Sequence, residues 1–352
     1  MSLGPMMFDL EGPELLPEEE ELLRHPLAGG VILFSRNYQN RQQLSELIAA
    51  IHQLREPQLL VGVDHEGGNV QRFRDSFTSL PAAARFGELH DQDPVRACAL
   101  AEQCGWIMAV ELRAHDVDFS FAPVLDLGKG ASRVIGTRAF HRDPEVVTKL
   151  AKSFMRGARR AGMMGVGKHF PGHGTVEADS HVDIPIDTRT LETILFKDLV
   201  PFERMIGADL PAIMPAHVIY PEVDHRPAGF SPVWLRSILR ERLGFQGVIF
   251  SDDIAMVGAT WAGDSLDRVR AALEAGCDMV VMCNDRAGVE TILDGFGEYN
   301  DLVSAVRLAR MHGHGQCHWD DLLSWTNYQE AVSSVSGLES EPELDLLDDV
   351  LS

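Results

Sequence analysis

Charged and imidazole side chains gather at a few points of this 352-residue chain, each just after a short apolar run. Asp64-His65-Glu66-Gly67-Gly68 and Arg72 follow a run at 59–63. Asp126 follows 119–125, with Arg138 beyond it. Lys168-His169-Phe170-Pro171-Gly172-His173-Gly174 follows 163–166, and Asp179-Ser180-His181 comes next. His217 follows 212–214, and Ser251-Asp252-Asp253 follows 248–250. A lysine ending a buried strand is costly unless it has a partner or faces a polar pocket. Five polar exits aimed at one rim describe a substrate pocket with groups for acid–base and nucleophilic work.

The apolar runs are the elements that must carry these residues. Eight of them recur, at 6–10, 31–34, 59–63, 119–125, 163–166, 212–214, 248–250 and 279–282. They are near-continuous rather than alternating, as strands buried on both faces are. Helical stripes lie between most of them. Leu44, Leu47, Ile48, Ile51 and Leu54 form one; Val147, Leu150, Ala151, Phe154 and Met155 form another, opened by Asp143 as N-cap and Pro144. Ser231-Pro232 opens a further helix that Gly244 closes, and helices fit 95–112, 191–206 and 266–275. The alternation predicts one (β/α)8 barrel, with a doubly wound open sheet as competitor. The barrel is expected over 1–310 and a helical extension over 311–336. At 337–352 six acidic residues read as a solvated, disordered tail.

Composition narrows the function. The net charge of −22 argues against gripping nucleic acid through phosphates and against docking on anionic lipid. Five scattered cysteines are no disulfide framework and fit a reducing compartment. No apolar run reaches membrane-spanning length, and the N-terminus has no secretory pattern.

The run KHFPGHG with Asp179-Ser180-His181, DHEGGNVQRF at 64–73 and VIFSDD at 248–253 resemble glycoside hydrolase family 3. More closely, they are similar to its compact bacterial β-N-acetylhexosaminidases of cell-wall recycling. The resemblance spans about residues 6–300. It implies a retaining exo-β-N-acetylglucosaminidase that releases N-acetylglucosamine from the non-reducing end of muropeptides in the cytoplasm. It implies no cofactor, and a monomer is expected. Relatives usually carry Gln where this chain has His65 and Arg where it has Asn69.

Double displacement needs a carboxylate under the anomeric carbon and a proton donor for the leaving oxygen. Asp252, held by a rigid strand, suits the first role; a helix-capping role is the rival reading and fits Asp253 better. The resemblance assigns the proton to His181, with Asp179 as its partner carboxylate. An imidazole beside a carboxylate can hold a proton near neutrality and take one back. The loop 171–183, rich in Gly and Pro, is expected to be mobile and to close over the sugar. The resemblance places Asp64, Arg72, Arg138, Lys168 and His169 on the sugar. For the two arginines an ion pair with Asp64 or Glu66 is the plain alternative. His217 fits either the pocket wall or a core hydrogen bond.

Two rival functions stay in view. A family 3 hydrolase of the β-glucosidase type shares the frame but takes plain glucosides. A metal-dependent barrel hydrolase would want an H-x-H pair after its first strand, where this chain has Glu11-Gly12. His312, His314, Cys317 and His318 are crowded together without a second cluster at zinc-finger spacing, and read as a His-rich turn.

Overall fold

The computed structural model describes residues 2–129, 132, 134–175, 184–315 and 317–338. Eight strands run parallel: β1 (Met6–Asp9), β2 (Ala28–Leu33), β3 (Leu60–Val63), β4 (Phe119–Ser120), β5 (Met164–Phe170), β6 (Ala212–Pro215), β7 (Val248–Ile249) and β8 (Val280–Met282). Each of β1 to β6 pairs with the next, and β8 returns to β1 through Met6–Val280, Met7–Val281 and Phe8–Met282. A parallel bridge between Phe250 and Met279 closes the ring, backed by the Ser251 N–H on the Met279 carbonyl at 2.8 Å. The barrel expected from the apolar runs is the fold observed, and the open sheet is not.

Helices cover the outside. Asp143 caps the helix Pro144–Arg160 by accepting from the Glu145 N–H, as its position before Pro144 predicts. The helix Val233–Arg242 ends at Gly244, whose φ of 70° only glycine adopts without strain. The stretch 191–206 is two helices, Leu191–Phe196 and Leu199–Ile206. The break falls at Lys197-Asp198, where the Asp198 carboxylate turns inward to Lys129 (3.1 Å) and Arg189 (2.6 Å).

Phe119, Phe121 and Phe250 meet inside the barrel with ring centroids 5.1–5.4 Å apart. Gly62 on β3 gives these rings room, since a Cβ there would stand 2.8 Å from Phe119. This aromatic layer lies directly below the strand exits and gives the candidate site a rigid floor.

Two further helices, Trp319–Ser324 and Thr326–Ser336, brace the wall. Trp319 stacks on His115 and meets Phe77 edge-on. The Tyr328 hydroxyl donates to Glu111 at 2.5 Å, and the Thr78 N–H donates to the same carboxylate at 3.0 Å. Glu111 is fully buried, and burial pushes its carboxyl pKa up. Thus the extension holds the loop that descends from Arg72. Among the described residues no helix is long and apolar enough to cross a membrane.

Tyr328→Phe takes one donor from buried Glu111. The expected cost is about 1–3 kcal/mol, the price of an under-satisfied buried polar group. Urea denaturation checks it; an unchanged midpoint would show the tie contributes nothing.

Candidate active site

The exits of β3 to β7 build the site. β5 runs on through Lys168 and His169, further than its apolar stretch, because both polar side chains find partners there. The Lys168 side chain is only 3% exposed. Its Nζ lies 2.7 Å from Asp64 Oδ1 and 2.7 Å from Glu66 Oε1. Arg138 grips Glu66 with Nε and Nη2, both at 2.8 Å, while Nη1 donates to the Val134 carbonyl at 3.1 Å. Arg72 lies 3.8 Å from Asp64 Oδ2 and over the Phe34 ring at 5.3 Å.

Three cations and two carboxylates therefore alternate in one line: Arg72, Asp64, Lys168, Glu66, Arg138. Burial by itself would raise the Glu66 carboxyl, but Arg138 and Lys168 outweigh it and hold the group far below the usual carboxylate range. Burial opposes the charge on Lys168 as well, and Asp64 and Glu66 overcome it, so its pKa is raised. Glu66 and Lys168 therefore stay charged across ordinary pH. It carries an excess of donors, which suits sugar hydroxyl and carbonyl oxygens.

Asp126 organises the neighbouring exit. Oδ2 accepts the His169 backbone N–H at 3.1 Å and lies 2.7 Å from His169 Nδ1. A carboxylate can only accept, so Nδ1 carries the hydrogen. Oδ1 accepts the His173 N–H at 2.6 Å. Burial pushes the Asp126 carboxyl up, yet His169 and these hydrogen bonds bring it below the ordinary value.

At the β7 exit Ser251 is buried, and its Oγ accepts the Val281 N–H at 2.9 Å. Asp252 follows it, half-buried, with Oδ1 accepting the Asp253 N–H at 2.9 Å. Asp253 Oδ1 accepts the Ala255 N–H at 2.9 Å, the local cap expected of it, and also the Cys283 N–H at 3.0 Å across the β7–β8 seam. Burial pushes the Asp253 carboxyl up to about 7, with Asp252 and Asp9 adding to the effect. The buried Cys283 thiol is raised by burial and by the field of Asp253, Asp9, Asp64 and Asp252.

The structure thus brings Asp64, Arg72, Arg138 and Lys168 into one network, sets His169 on Asp126, and places Asp252 at the same rim. Asp179 and His181 lie outside the described residues, as does most of the loop they share. Both arginines do sit against carboxylates, the alternative weighed for them. Glu66 and Asp126 are the organisers that sequence reasoning underrated; each stands at a strand exit, which was the available signal. His65 is buried against Phe73 and Phe77, and burial pulls its pKa down to about 3. A concavity of about 630 Å³ lies at the opposite end of the barrel, between Met164, Leu210, Phe245 and Arg307. It is mostly apolar and remote from the paired carboxylates.

A closed parallel barrel with fixed carboxylates and cations at its C-terminal mouth has the architecture of a barrel enzyme. More narrowly, the chain belongs to glycosyl hydrolase family 3, whose N-terminal domain profile matches residues 7–311. A protein of Thioalkalivibrio sulfidiphilus described as a beta-hexosaminidase is 56% identical over 346 residues, 98% of this chain and 99% of that one. Another beta-hexosaminidase, from Thiobacillus denitrificans, is 54% identical over 352 residues, 99% of this chain and 98% of that one. Among solved structures, NagZ from Neisseria gonorrhoeae in complex with N-trifluoroacetyl-D-glucosamine superposes with a TM-score of 0.92 at 45% identity. That match covers 97% of this chain and 99% of the other.

Glu66→Gln should destabilise the fold near neutral pH by about 3–5 kcal/mol, because it leaves Lys168 and Arg138 short of a buried partner. The Glu66 pKa is depressed in the fold, so its contribution is present above the unfolded value of ~4.3 and fades as pH falls below that. Melting curves of both proteins from pH 7 downward should converge on the acid side. A gap that widens there would contradict the charge assignment.

Proposed function

We propose that this chain is a retaining exo-β-N-acetylglucosaminidase acting in the bacterial cytoplasm. It releases N-acetylglucosamine from the non-reducing end of peptidoglycan fragments, including anhydro-muropeptides. The observation that carries this reading is identity above one half, over nearly the whole length, to relatives described as beta-hexosaminidases. A neighbour bound to an N-acylated glucosamine supports the acetamido preference over the glucosides of other family 3 hydrolases.

In this reading Asp252 attacks the anomeric carbon as the glycosidic bond breaks, giving a covalent glycosyl-enzyme. His181 gives its proton to the departing oxygen. It then takes a proton from water, whose oxygen displaces Asp252 and restores the β-configuration. Asp179 holds the imidazole in the productive tautomer and stabilises its charge. Asp64 accepts from sugar hydroxyls, as does His169 through Nε2, since its Nδ1 hydrogen goes to Asp126; Lys168 and Arg72 donate to them, and Arg138 adds a contact through Nη1, the nitrogen not spent on Glu66. Because Lys168 is already fixed by two carboxylates, the sugar meets donors that need no rearrangement. The chemistry calls for no cofactor.

Nitrophenyl glycosides at pH 7 test the substrate: the 2-acetamido sugar should turn over far faster than the glucoside, and exhaustive chelation should leave the rate intact. Equal use of the glucoside favours the β-glucosidase reading, and loss on chelation favours the metal-dependent one. Asp252→Ala should remove nearly all turnover with the fold intact, and a fluorinated substrate should label Asp252 in the wild type. Labelling at Asp253 or Glu66, or an inverted product, would reject the assignment.

His181→Ala should harm natural sugar leaving groups most, since an activated nitrophenolate leaves without a proton. Deglycosylation still slows, so a burst of nitrophenol is expected. Equal loss on both substrates without a burst would make His181 a binding residue.

A further inference from the structure

His217 lies two residues beyond β6 and is completely buried. Its ring is stacked on Phe230, with centroids 5.2 Å apart and planes at 15°. Nε2 is 3.0 Å from the backbone carbonyl oxygen of Asp253. A carbonyl only accepts, so Nε2 carries the hydrogen and donates. Among the described residues Nδ1 has no hydrogen-bond partner, and a Cβ added at Gly229 would stand 3.4 Å from it. A second proton, on Nδ1, would be buried without an acceptor. Burial lowers the imidazole pKa, and Arg268 adds to this, against the opposing field of Asp252 and the hydrogen bonds of the 252–253 backbone. The ring is therefore a neutral, fixed donor.

What it holds is the residue next to Asp252. The Asp253 carbonyl is tied to β6 by His217. The Asp253 carboxylate is tied to its own turn at Ala255 and to β8 at Cys283. The Asp253 N–H donates to Asp252 Oδ1. These anchors fix Asp253, together with the Met256 N–H on its carbonyl at 3.3 Å and the Ile254 N–H on the Val281 carbonyl at 2.9 Å, and its own N–H delivers a hydrogen bond to one Asp252 carboxylate oxygen.

We propose that His217 is a positioning residue for the nucleophile: by donating from Nε2 to the Asp253 carbonyl, it locks the 252–253 backbone so that one oxygen of Asp252 is aimed at the anomeric carbon. The proposal rests on the reading of Asp252 as nucleophile. His217 touches neither sugar nor leaving group, and it moves no proton in the reaction. Its effect is on alignment, to which displacement reactions are steeply sensitive.

The test compares His217→Phe, which keeps the stack on Phe230 but has no donor, with His217→Gln, whose amide can donate from a similar place. His217→Phe should lower kcat for N-acetylglucosaminides by about 10–100-fold with KM little changed. Activated and natural leaving groups should suffer alike, since protonation is untouched. Labelling of Asp252 by a fluorinated substrate should slow in step. His217→Gln should recover most of the loss, and its pH–rate profile should keep both wild-type limbs. His217→Leu replaces the Phe variant if that one does not fold. Wild-type kcat in a folded variant without a donor overturns the proposal. So does a change confined to KM, a lost limb in the Gln variant, or failure of both apolar variants to fold. If the wild-type label lands on a residue other than Asp252, the nucleophile assignment fails instead, so the two failures are told apart.

Discussion

A lysine ammonium buried in a barrel wall has to be neutralised where it stands, and much of the mouth is arranged around that requirement. Lys168 is held between Asp64 and Glu66, and Glu66 is held in turn by the fork of Arg138. Removing any one member leaves a charge in a poorly polarisable place, so the group stands or falls together. The hairpin of His65–Gly67 with Val70–Gln71, the segment around Arg138 and the end of β5 are thereby locked to one another before any sugar arrives. Rigidity of that kind turns binding energy into orientation rather than into ordering of the protein.

The barrel was legible because parallel strands are buried on both faces and show as apolar runs. Their lengths were less legible, for nameable reasons. The run 119–125 yields only Phe119–Ser120 as ladder, since Pro123 has no N–H to pair, and Val124 makes a single bridge to Lys168. The run 163–166 understates β5, because a polarity rule stops at Lys168 while the hydrogen bonds continue. Asp198 interrupts an apparently continuous helix through ion pairs to Lys129 and Arg189, the first of which is far away in sequence.

The site divides in the same way. Asp252 could be reached from its place after a strand. Glu66 and Arg138 are 72 residues apart, and their pairing leaves no local mark in the sequence. The bond from His217 to the Asp253 carbonyl involves a backbone atom, to which side-chain patterns are blind. Asp179 and His181 carry their roles from resemblance, because an imidazole two residues after a carboxylate in a glycine-rich loop is common in loops of every kind.

The pairing of β1 with β8 joins residues near the start of the chain to others roughly 270 positions later, a separation that makes ring closure slow. Cys283, which supports Asp253, follows β8 directly and takes its place only once that strand has docked. During synthesis β1 must wait, unpaired on one side, until almost the entire barrel has left the ribosome. The hydrolytic centre is consequently among the last parts of the molecule to exist. Nascent or partly folded chains should therefore be silent toward glycosides, and the return of activity after denaturation should time the closing of the ring.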